Sequence, residues 1–378
     1  MTQTHRGVFG KRCGAIHIPL IFGSMLLPAF LIGVPQTARA GQTWYLKVGA
    51  ESQDEADQAD AFLPNEIWIY AGDSIEWTWQ PKNEPHTVTF LQPLQTRPTP
   101  PPPIGPSMPP PPFYFGNSAE CPSPNPYDGG TATYNGSACV SSAALTGGTA
   151  PSTFTVTFPN PGNYKLVCLI HTNMNGTVHV LSTNPTSPFY AASLPYTQSD
   201  YDKQAQDEAE DILKDTDNPK EEVRDFPRSK NQVLMTGEMV ATGGGRQYLA
   251  IVRFFPETIY VHKGDTVEFT NVDHTEPHTV TSGSSDTLVN DMALVNASPQ
   301  ADGALGATIN SASNFGNATP TTGVSSGFLQ AAPEDAAGRG QSPPETTRIR
   351  VTFNIVGTFP YHCALHDVEG MYGTVVVK

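Results

Sequence analysis

The sequence predicts an all-β protein that contains two β-sandwich or barrel units in tandem. Two observations support this. First, residues 64–90 align without a gap on 256–282, and 152–171 align on 347–366. Second, apolar and polar residues alternate in these segments and β-branched and aromatic types are frequent, which is typical of half-buried strands. Because the repeat is far longer than a solenoid unit, it indicates a duplicated domain.

The first element, residues 1–40, is predicted to be a signal peptide. A basic start precedes an apolar stretch, and Ala38-Arg39-Ala40 offers a cleavage site that would make Gly41 the mature N-terminus. The alternative is an uncleaved membrane anchor, since the stretch is nearly long enough to span a bilayer. Pro19 and Pro28 favour cleavage because proline disrupts helices. We therefore expect an exported protein, periplasmic or extracellular, with no membrane span in the mature chain.

The mature chain is strongly acidic. The predicted signal peptide holds four basic residues and no acid, so its removal lowers the formal net charge from −15 to about −19. Such a surface repels nucleic acid and anionic lipid, and favours cationic partners. Solubility alone explains the charge equally well.

The two units are expected over residues 41–183 and 231–378. In each, a turn separates the first two strands of the repeat, at Gly72-Asp73 and at Gly264-Asp265. Each unit closes on an alternating terminal strand, "GTVHVL" in the first and "GTVVVK" in the second. The pattern therefore predicts the same order of strands in both units.

Three segments lie outside the repeat. An insertion over about 92–150 begins with a polyproline stretch, which should be extended and should not pack as a sheet. A second insertion, over about 283–345, is rich in Ser, Gly, Ala and Asn and is predicted to be a flexible loop. The charged, acidic segment 184–230 is interpreted as a linker, with a solvated helix over about 200–214.

The cysteines fall into two classes. In the oxidising compartment that export implies, Cys121 and Cys139 are predicted to form a disulfide closing a Gly/Ser/Asn-rich loop, the alternative being two free thiols. Cys168 and Cys363 each lie beside a histidine and a methionine of their own. A disulfide between these two cysteines would not explain why each has its own neighbouring histidine and methionine.

Each unit carries a histidine before its insertion and a Cys/His/Met loop after it. The candidate ligands are His86, Cys168, His171 and Met174 in the first unit, and His278, Cys363, His366 and Met371 in the second. Two imidazoles, one thiolate and one weak axial thioether form the ligand set of a blue copper site. We therefore expect two type 1 copper ions. Structural zinc sites normally lack methionine, which disfavours zinc, and core methionines or a Cys–His nucleophile pair are weaker alternatives.

With these motifs, both units resemble cupredoxins, the plastocyanin- and azurin-like blue copper domains. The C-x2-H-x2-M loop of the first unit is similar to that of amicyanin, and the C-x2-H-x4-M loop of the second has the plastocyanin or pseudoazurin spacing. The resemblance leaves out the insertions and the linker. It covers about 64–90 with 152–181, and 256–282 with 347–378.

The resemblance implies Greek-key sandwiches with copper at one end of each. It also implies electron transfer through the exposed edges of the loop histidines, His171 and His366. Plastocyanin-like proteins often exchange electrons with cytochromes, so a redox protein, and by analogy a cytochrome, is the expected partner. Because the two loops differ by two residues, we expect two different reduction potentials.

The main alternative is an enzyme, since copper nitrite reductases and multicopper oxidases are also built from cupredoxin units. They hold additional copper through histidines near the blue site. Here such a site would draw on His362, His274, His262 or His179.

Two features of the sequence favour an electron carrier over such an enzyme. The chain has no H-x-H pair and no H-C-H motif, and the first unit has Val167 and Lys82 where the second has His362 and His274. A copper store or chaperone is the third class. A buried, rigid cage of two histidines, a cysteine and a methionine argues against the rapid hand-off that a chaperone needs.

Overall fold

The alternating segments form strands, and these pair into three large sheets. The computed structural model describes residues 41–82, 84–95, 117–118, 121–124, 129–148, 152–171, 174–214, 229–239, 247–273, 277–282, 294–311, 323–329 and 346–378. The elements in these ranges are β1 (Thr43–Glu51), β2 (Asp57–Leu63), β3 (Glu66–Tyr70), β4 (Ser74–Trp79), β5 (Thr89–Phe90), β6 (Asn117–Ser118), β7 (Cys121–Pro122), β8 (Gly130–Thr133), β9 (Val140–Ser141), β10 (Thr153–Thr157), β11 (Gly162–Val167), β12 (Asn175–Leu181), α1 (Gln198–Lys214), β13 (Gln232–Met239), β14 (Tyr248–Phe255), β15 (Thr258–Val261), β16 (Thr266–Asn271), β17 (Thr281–Ser282), β18 (Leu294–Val295), β19 (Ser298–Pro299), β20 (Leu305–Ile309), β21 (Ser325–Ser326), β22 (Arg348–Phe353), β23 (Gly357–His362) and β24 (Tyr372–Val377).

Each half of the chain is a β-sandwich, and the all-β prediction is confirmed. An eleven-stranded sheet runs β19-β20-β22-β16-β13-β14-β2-β1-β4-β10-β8. The sheet β3-β12-β11-β5-β9 belongs to the first half, and β15-β24-β23-β17-β21-β18 belongs to the second. In the first half Trp77 of β4 and Val178 of β12, from opposite sheets, share one apolar cluster. Parallel pairs such as β1 with β4 require the chain to cross between sheets, as a Greek key does.

The two halves follow the same strand order within the long sheet. It reads β8-β10-β4-β1-β2 in the first half and β20-β22-β16-β13-β14 in the second. The predicted turns are present, with Gly72 at φ +94° and Gly264 at φ +92°, a conformation that glycine adopts without steric cost. A duplication origin and the domain limits remain predictions.

The halves join through strands that the sequence pattern did not mark. β2 pairs antiparallel with β14, placing Ala59 opposite Leu249 and Asp57 opposite Ile251. Every residue of β2 is buried, because the strand lies in the middle of the long sheet and α1 packs against it. Arg253 of the second half also pairs with Asp57 of the first, at 3.7 Å. The long sheet is therefore continuous across both halves.

The helix predicted in the linker is present as α1, but it is not simply solvated. Tyr201, Ala205 and Ile212 are buried on one face. The Tyr201 hydroxyl donates to the carbonyl of Trp68 at 3.1 Å and accepts from the Trp68 amide at 2.8 Å. The helix therefore packs onto the first half, and it also contacts β14.

The insertions contribute strands to the sheets. β8 pairs in parallel with β10, and β20 pairs in parallel with β22. The prediction of a flexible loop over 283–345 is therefore wrong for β20, whose Leu305 and Ile309 join the buried core. The polyproline stretch and the predicted signal peptide lie outside the described residues.

Two further predictions can be compared with the described residues. The disulfide between Cys121 and Cys139 is present, with Cα atoms 4.7 Å apart. Over the ranges given above, no helix is both long and apolar enough to cross a membrane.

Candidate metal centres

In the first half, the structure brings together the three candidate ligands with ring or thiol donors. His86 forms an isolated bridge with Leu145 before β5, and Cys168 follows the last residue of β11. The Nδ1 atoms of His86 and His171 are 2.9 Å apart, and Nδ1 of His171 is 3.7 Å from Cys168 Sγ. All three side chains are buried.

The second half repeats this arrangement. His278 forms the equivalent bridge with Leu329, and Cys363 follows β23. The Nδ1 atoms of His278 and His366 are 3.1 Å apart. They lie 3.7 and 3.4 Å, respectively, from Cys363 Sγ.

Backbone hydrogen bonds close each loop and hold the backbone of the methionine against that of the cysteine. The Cys168 amide donates to the Met174 carbonyl at 3.0 Å, and the Cys363 amide donates to the Met371 carbonyl at 3.1 Å. Gly370, at φ +81°, provides the turn before Met371 in the longer loop. Met174 and Met371 are fully buried, each in the same apolar cluster as its cysteine. Both are therefore part of the apolar core around their cysteines.

Each cysteine lies in surroundings that favour the thiolate. The amides of Thr87 and Thr279 donate to Sγ of Cys168 and Cys363, at 3.4 and 3.3 Å. Burial alone would raise the pKa of both thiols, but the neighbouring histidines oppose it and hold the pKa of each well below its ordinary value. A deprotonated thiol is the form that binds metal.

A buried carboxylate lies beside the outer nitrogen of the upstream histidine in each half. Asp273 is 2.9 Å from His278 Nε2, whereas Asp60 is 3.7 Å from His86 Nε2. Burial disfavours the charged imidazole, but Asp273 and Cys363 raise the pKa of His278 to about 9. Carboxylates in this position orient metal-binding histidines and select their tautomer.

A third cluster lies between the halves, and the sequence did not reveal it. An oxygen of Glu84, an oxygen of Glu369 and a nitrogen of His366 lie within 4.8 Å of one another, and all three residues are buried. Glu84 Oε1 is also 3.0 Å from Nε2 of His171, the loop histidine of the first half. Glu369 lies in the two-residue extension of the second loop. This extension is the feature of the sequence that could have pointed to the cluster.

This cluster corrects one expectation. The loop histidines do not expose their edges, since His171 is 1% and His366 is 7% exposed. Both instead face the junction of the two halves through Glu84. The exposed imidazole edges expected from the resemblance are therefore not present in this structure.

The two main clusters fit copper. Their nitrogen and sulfur donors are 2.9 to 3.7 Å apart, which leaves room for one ion at about 2.0–2.3 Å from each. Two imidazoles, which bind copper in their neutral form, a thiolate and a buried thioether suit both oxidation states of copper. The carboxylate cluster is a different, oxygen-rich donor set.

The chain is cupredoxin-like. The sandwich fold and the two His/Cys/His clusters together decide this, since each cluster lies where its sandwich brings two separate segments together.

The histidines proposed for an additional copper site are not gathered into one. His362 is buried in β23 with its ring 6.1 Å from that of Tyr372. His262 is exposed beside Asp265, and His179 stacks on Trp68 with ring centroids 4.5 Å apart. Within the described ranges, none of these belongs to a cluster that could hold a metal. His274 lies outside them.

Known proteins give matches in structure only. No family model and no curated protein sequence matches the chain. Oxidised plastocyanin from Dryopteris crassirhizoma is 18% identical, with a TM-score of 0.20, covering 39% of this chain and 99% of plastocyanin. The purple cupredoxin from Nitrosopumilus maritimus is 19% identical, with a TM-score of 0.18 and coverages of 39% and 98%. The blue copper oxidase from Nitrosomonas europaea is 12% identical, with a TM-score of 0.21 and coverages of 89% and 86%.

Proposed function

We propose that the protein is an exported electron-transfer protein with one type 1 copper in each cupredoxin half. The observation that carries the proposal is the repeated buried donor set, in which two histidine Nδ1 atoms and one cysteine Sγ converge in each half. The ligands would be His86, Cys168, His171 and Met174 in the first half, and His278, Cys363, His366 and Met371 in the second.

The residues around each site favour electron transfer over other copper chemistry. When bound, copper supplies a one-electron redox couple. The thiolate and both imidazoles are held by backbone and carboxylate contacts of the protein itself, so little needs to move when the charge of the site changes. The same contacts hold each cysteine at 0% exposure, which shields the thiolate from water and from small ligands.

A copper oxidoreductase and a copper store are less well supported. An oxidoreductase needs an additional copper at which substrate binds, and the described histidines outside the two sites do not gather into such a site. A store or chaperone must release its metal, whereas here every candidate ligand is buried.

The partner would be another redox protein, a cytochrome by analogy with plastocyanin-like proteins. Because both loop histidines are buried, such a partner would contact other parts of the copper loops. At the second site, Val368 and Tyr372 are 51% and 54% exposed on either side of Met371. Export after cleavage near Ala40 would place the protein in the periplasm or outside the cell.

A copper count with spectra of three proteins tests the proposal. The mature wild-type chain and the variants Cys168→Ser and Cys363→Ser would be loaded with Cu(II) and examined by visible absorption and EPR. We expect two coppers in the wild type and one in each variant. Each variant should lose about half of the blue absorbance, because thiolate coordination at one of two sites is removed.

The double variant Cys168→Ser/Cys363→Ser is the matched control and should show no blue band. A single copper in the wild type, or blue absorbance that survives in the double variant, would contradict the proposal. A persistent non-blue copper signal, together with turnover of nitrite or oxygen, would instead support the oxidoreductase.

A further inference from the structure

The carboxylate of Glu84 lies between the two candidate copper sites. Its Oε1 is 3.0 Å from Nε2 of His171, whose Nδ1 faces the first site. It also belongs to the buried cluster with His366 and Glu369. Since Nδ1 of His366 faces Cys363 and His278, its Nε2 is the nitrogen left for the carboxylates. One side chain therefore adjoins the loop histidines of both sites.

We propose that Glu84 couples the two copper sites, so that an electron passes between them inside the chain along the His171–Glu84–His366 contact. This inference rests on the proposed function. The transfer moves one electron: the donor site is oxidised by one unit, the acceptor site is reduced by one unit, and no bond forms or breaks. The first electron comes from an external one-electron reductant.

Three features favour a coupling role over simple packing. Glu84, His171 and His366 are 4%, 1% and 7% exposed, so water is excluded from the contact and its electrostatic interactions are strong. Glu84 comes from the first half, whereas His366 and Glu369 come from the second, so the contact spans the junction. Moreover, Glu369 lies in the residues by which the second loop is longer than the first. The longer loop thus brings a second carboxylate to the junction.

In this arrangement Glu84 is a positioning residue. A hydrogen bond from His171 Nε2 fixes the tautomer that leaves Nδ1 available to the first site. The same negative charge lies near the imidazole of His366. A change of charge at either site therefore alters the interaction of Glu84 with the other, and the two reduction potentials depend on each other.

The test measures electron exchange between the sites in copper-loaded protein. One site is reduced by a photochemical pulse with ruthenium tris-bipyridine, and the approach to equilibrium is followed over a range of protein concentrations. In the wild type we expect a phase whose rate does not depend on concentration. Glu84→Gln removes the charge while retaining the shape of the side chain, and should slow this phase about tenfold, the lower end of the effect of removing such an outer partner.

Midpoint potentials supply the second measurement. The potential of the first site is compared between the two-copper protein and Cys363→Ser, in which the second site is disabled. We expect copper at the second site to shift this potential, and Glu84→Gln to reduce the shift. Glu76→Gln is the control for loss of one negative charge, because Glu76 lies on β4 and contacts Thr155 instead of either site.

Each outcome distinguishes this inference from the proposed function. Absence of blue copper in the wild type would overturn both. Two blue sites whose exchange is strictly bimolecular, or is unchanged in Glu84→Gln, would overturn the coupling alone. Binding of a third metal ion that Glu369→Gln abolishes would also overturn it, because the carboxylates would then hold an ion. Recovery of the fast phase in Glu84→Asp would support it.

Discussion

The two candidate copper sites share their donor types but differ in the side chains that hold those donors. In the first, Asp60 lies 3.7 Å from His86 Nε2, beyond hydrogen-bond reach; in the second, Asp273 lies 2.9 Å from His278 Nε2. The carboxylates also come from different places. Asp60 belongs to β2, at the junction, whereas Asp273 lies in the loop after β16. The two sites therefore resemble each other more closely in their donors than in the carboxylates around those donors.

This difference shows which parts of a site a repeat retains. The donors and the threonine-amide contact to sulfur set the kind of metal, and both halves keep them. The carboxylates adjust orientation, affinity and potential. They differ between the halves, and Glu84 serves both. Two sites of one kind can therefore carry two different potentials within one fold.

The largest predicted effect, on the free energy of unfolding, concerns a hydrogen bond that both sites share. The Thr87 and Thr279 hydroxyls accept from the Leu169 and Ala364 amides, at 2.8 and 2.7 Å. Changing either threonine to valine leaves a buried amide without that acceptor. We expect each substitution to lower the free energy of unfolding by about 2 kcal/mol, and by the same amount at both sites. Urea titration of the metal-free protein measures this.

A threonine on a less buried face provides the control. Thr155→Val should change stability by less than about 0.5 kcal/mol, as is usual for substitutions away from buried contacts. Markedly unequal losses for Thr87→Val and Thr279→Val would show that the sites are not equivalent even in their innermost contacts.

The next prediction concerns a contact that differs between the two sites, so its loss should weaken copper binding by different amounts. Asp273→Asn is expected to weaken copper binding at the second site by about 10–100-fold, because the carboxylate directly contacts His278. Asp60→Asn should weaken the first site less, by under about tenfold, because the longer distance excludes a direct hydrogen bond. Chelator competition measures each affinity in a chain whose other site is disabled by Cys→Ser. Equal losses at both sites would contradict the asymmetry.

The donors could be predicted from sequence because each is a local pattern that occurs twice. Cys168 and His171 are three residues apart, as are Cys363 and His366, and a strand must end at each cysteine. Copper follows from the residue types alone. The alternation of β4 and β22 likewise revealed half-buried strands, because solvent covers one side and the core the other.

The carboxylates and the junction could not be predicted in this way. Asp273 aligns with Pro81, so no repeat marks it, and Asp60 lies outside the aligned segments. The sequence of β2, "DQADAFL", does not alternate, because a strand in the middle of the long sheet and beneath α1 is buried on both faces. Long-range pairing of this kind depends on tertiary packing, which overrides local propensity.

The smallest effect is expected from a titratable group that belongs to neither site. Its substitution gives a reference for changes in stability that involve neither site. Glu208 of α1 accepts from the Asn65 amide of the first half at 3.2 Å and from Gln247 Nε2 of the second at 2.8 Å. Burial raises the pKa of its carboxyl from 4.5 to about 7, although both hydrogen bonds oppose the shift. Between these values the folded chain keeps a proton that the unfolded chain has lost. Stability therefore falls as pH rises from about 5 to 8.

Glu208→Gln removes this dependence. Relative to wild type, the variant should gain about 1–2 kcal/mol in free energy of unfolding between pH 5 and pH 8, allowing for partial screening by solvent. Glu210→Gln, on the exposed face of α1 beside Lys214, is the matched control and should not reproduce the gain. Both blue spectra should remain unchanged, because α1 is not part of either ligand set. A spectral change confined to one site would show that the helix supports that site, and would add a further difference between the two.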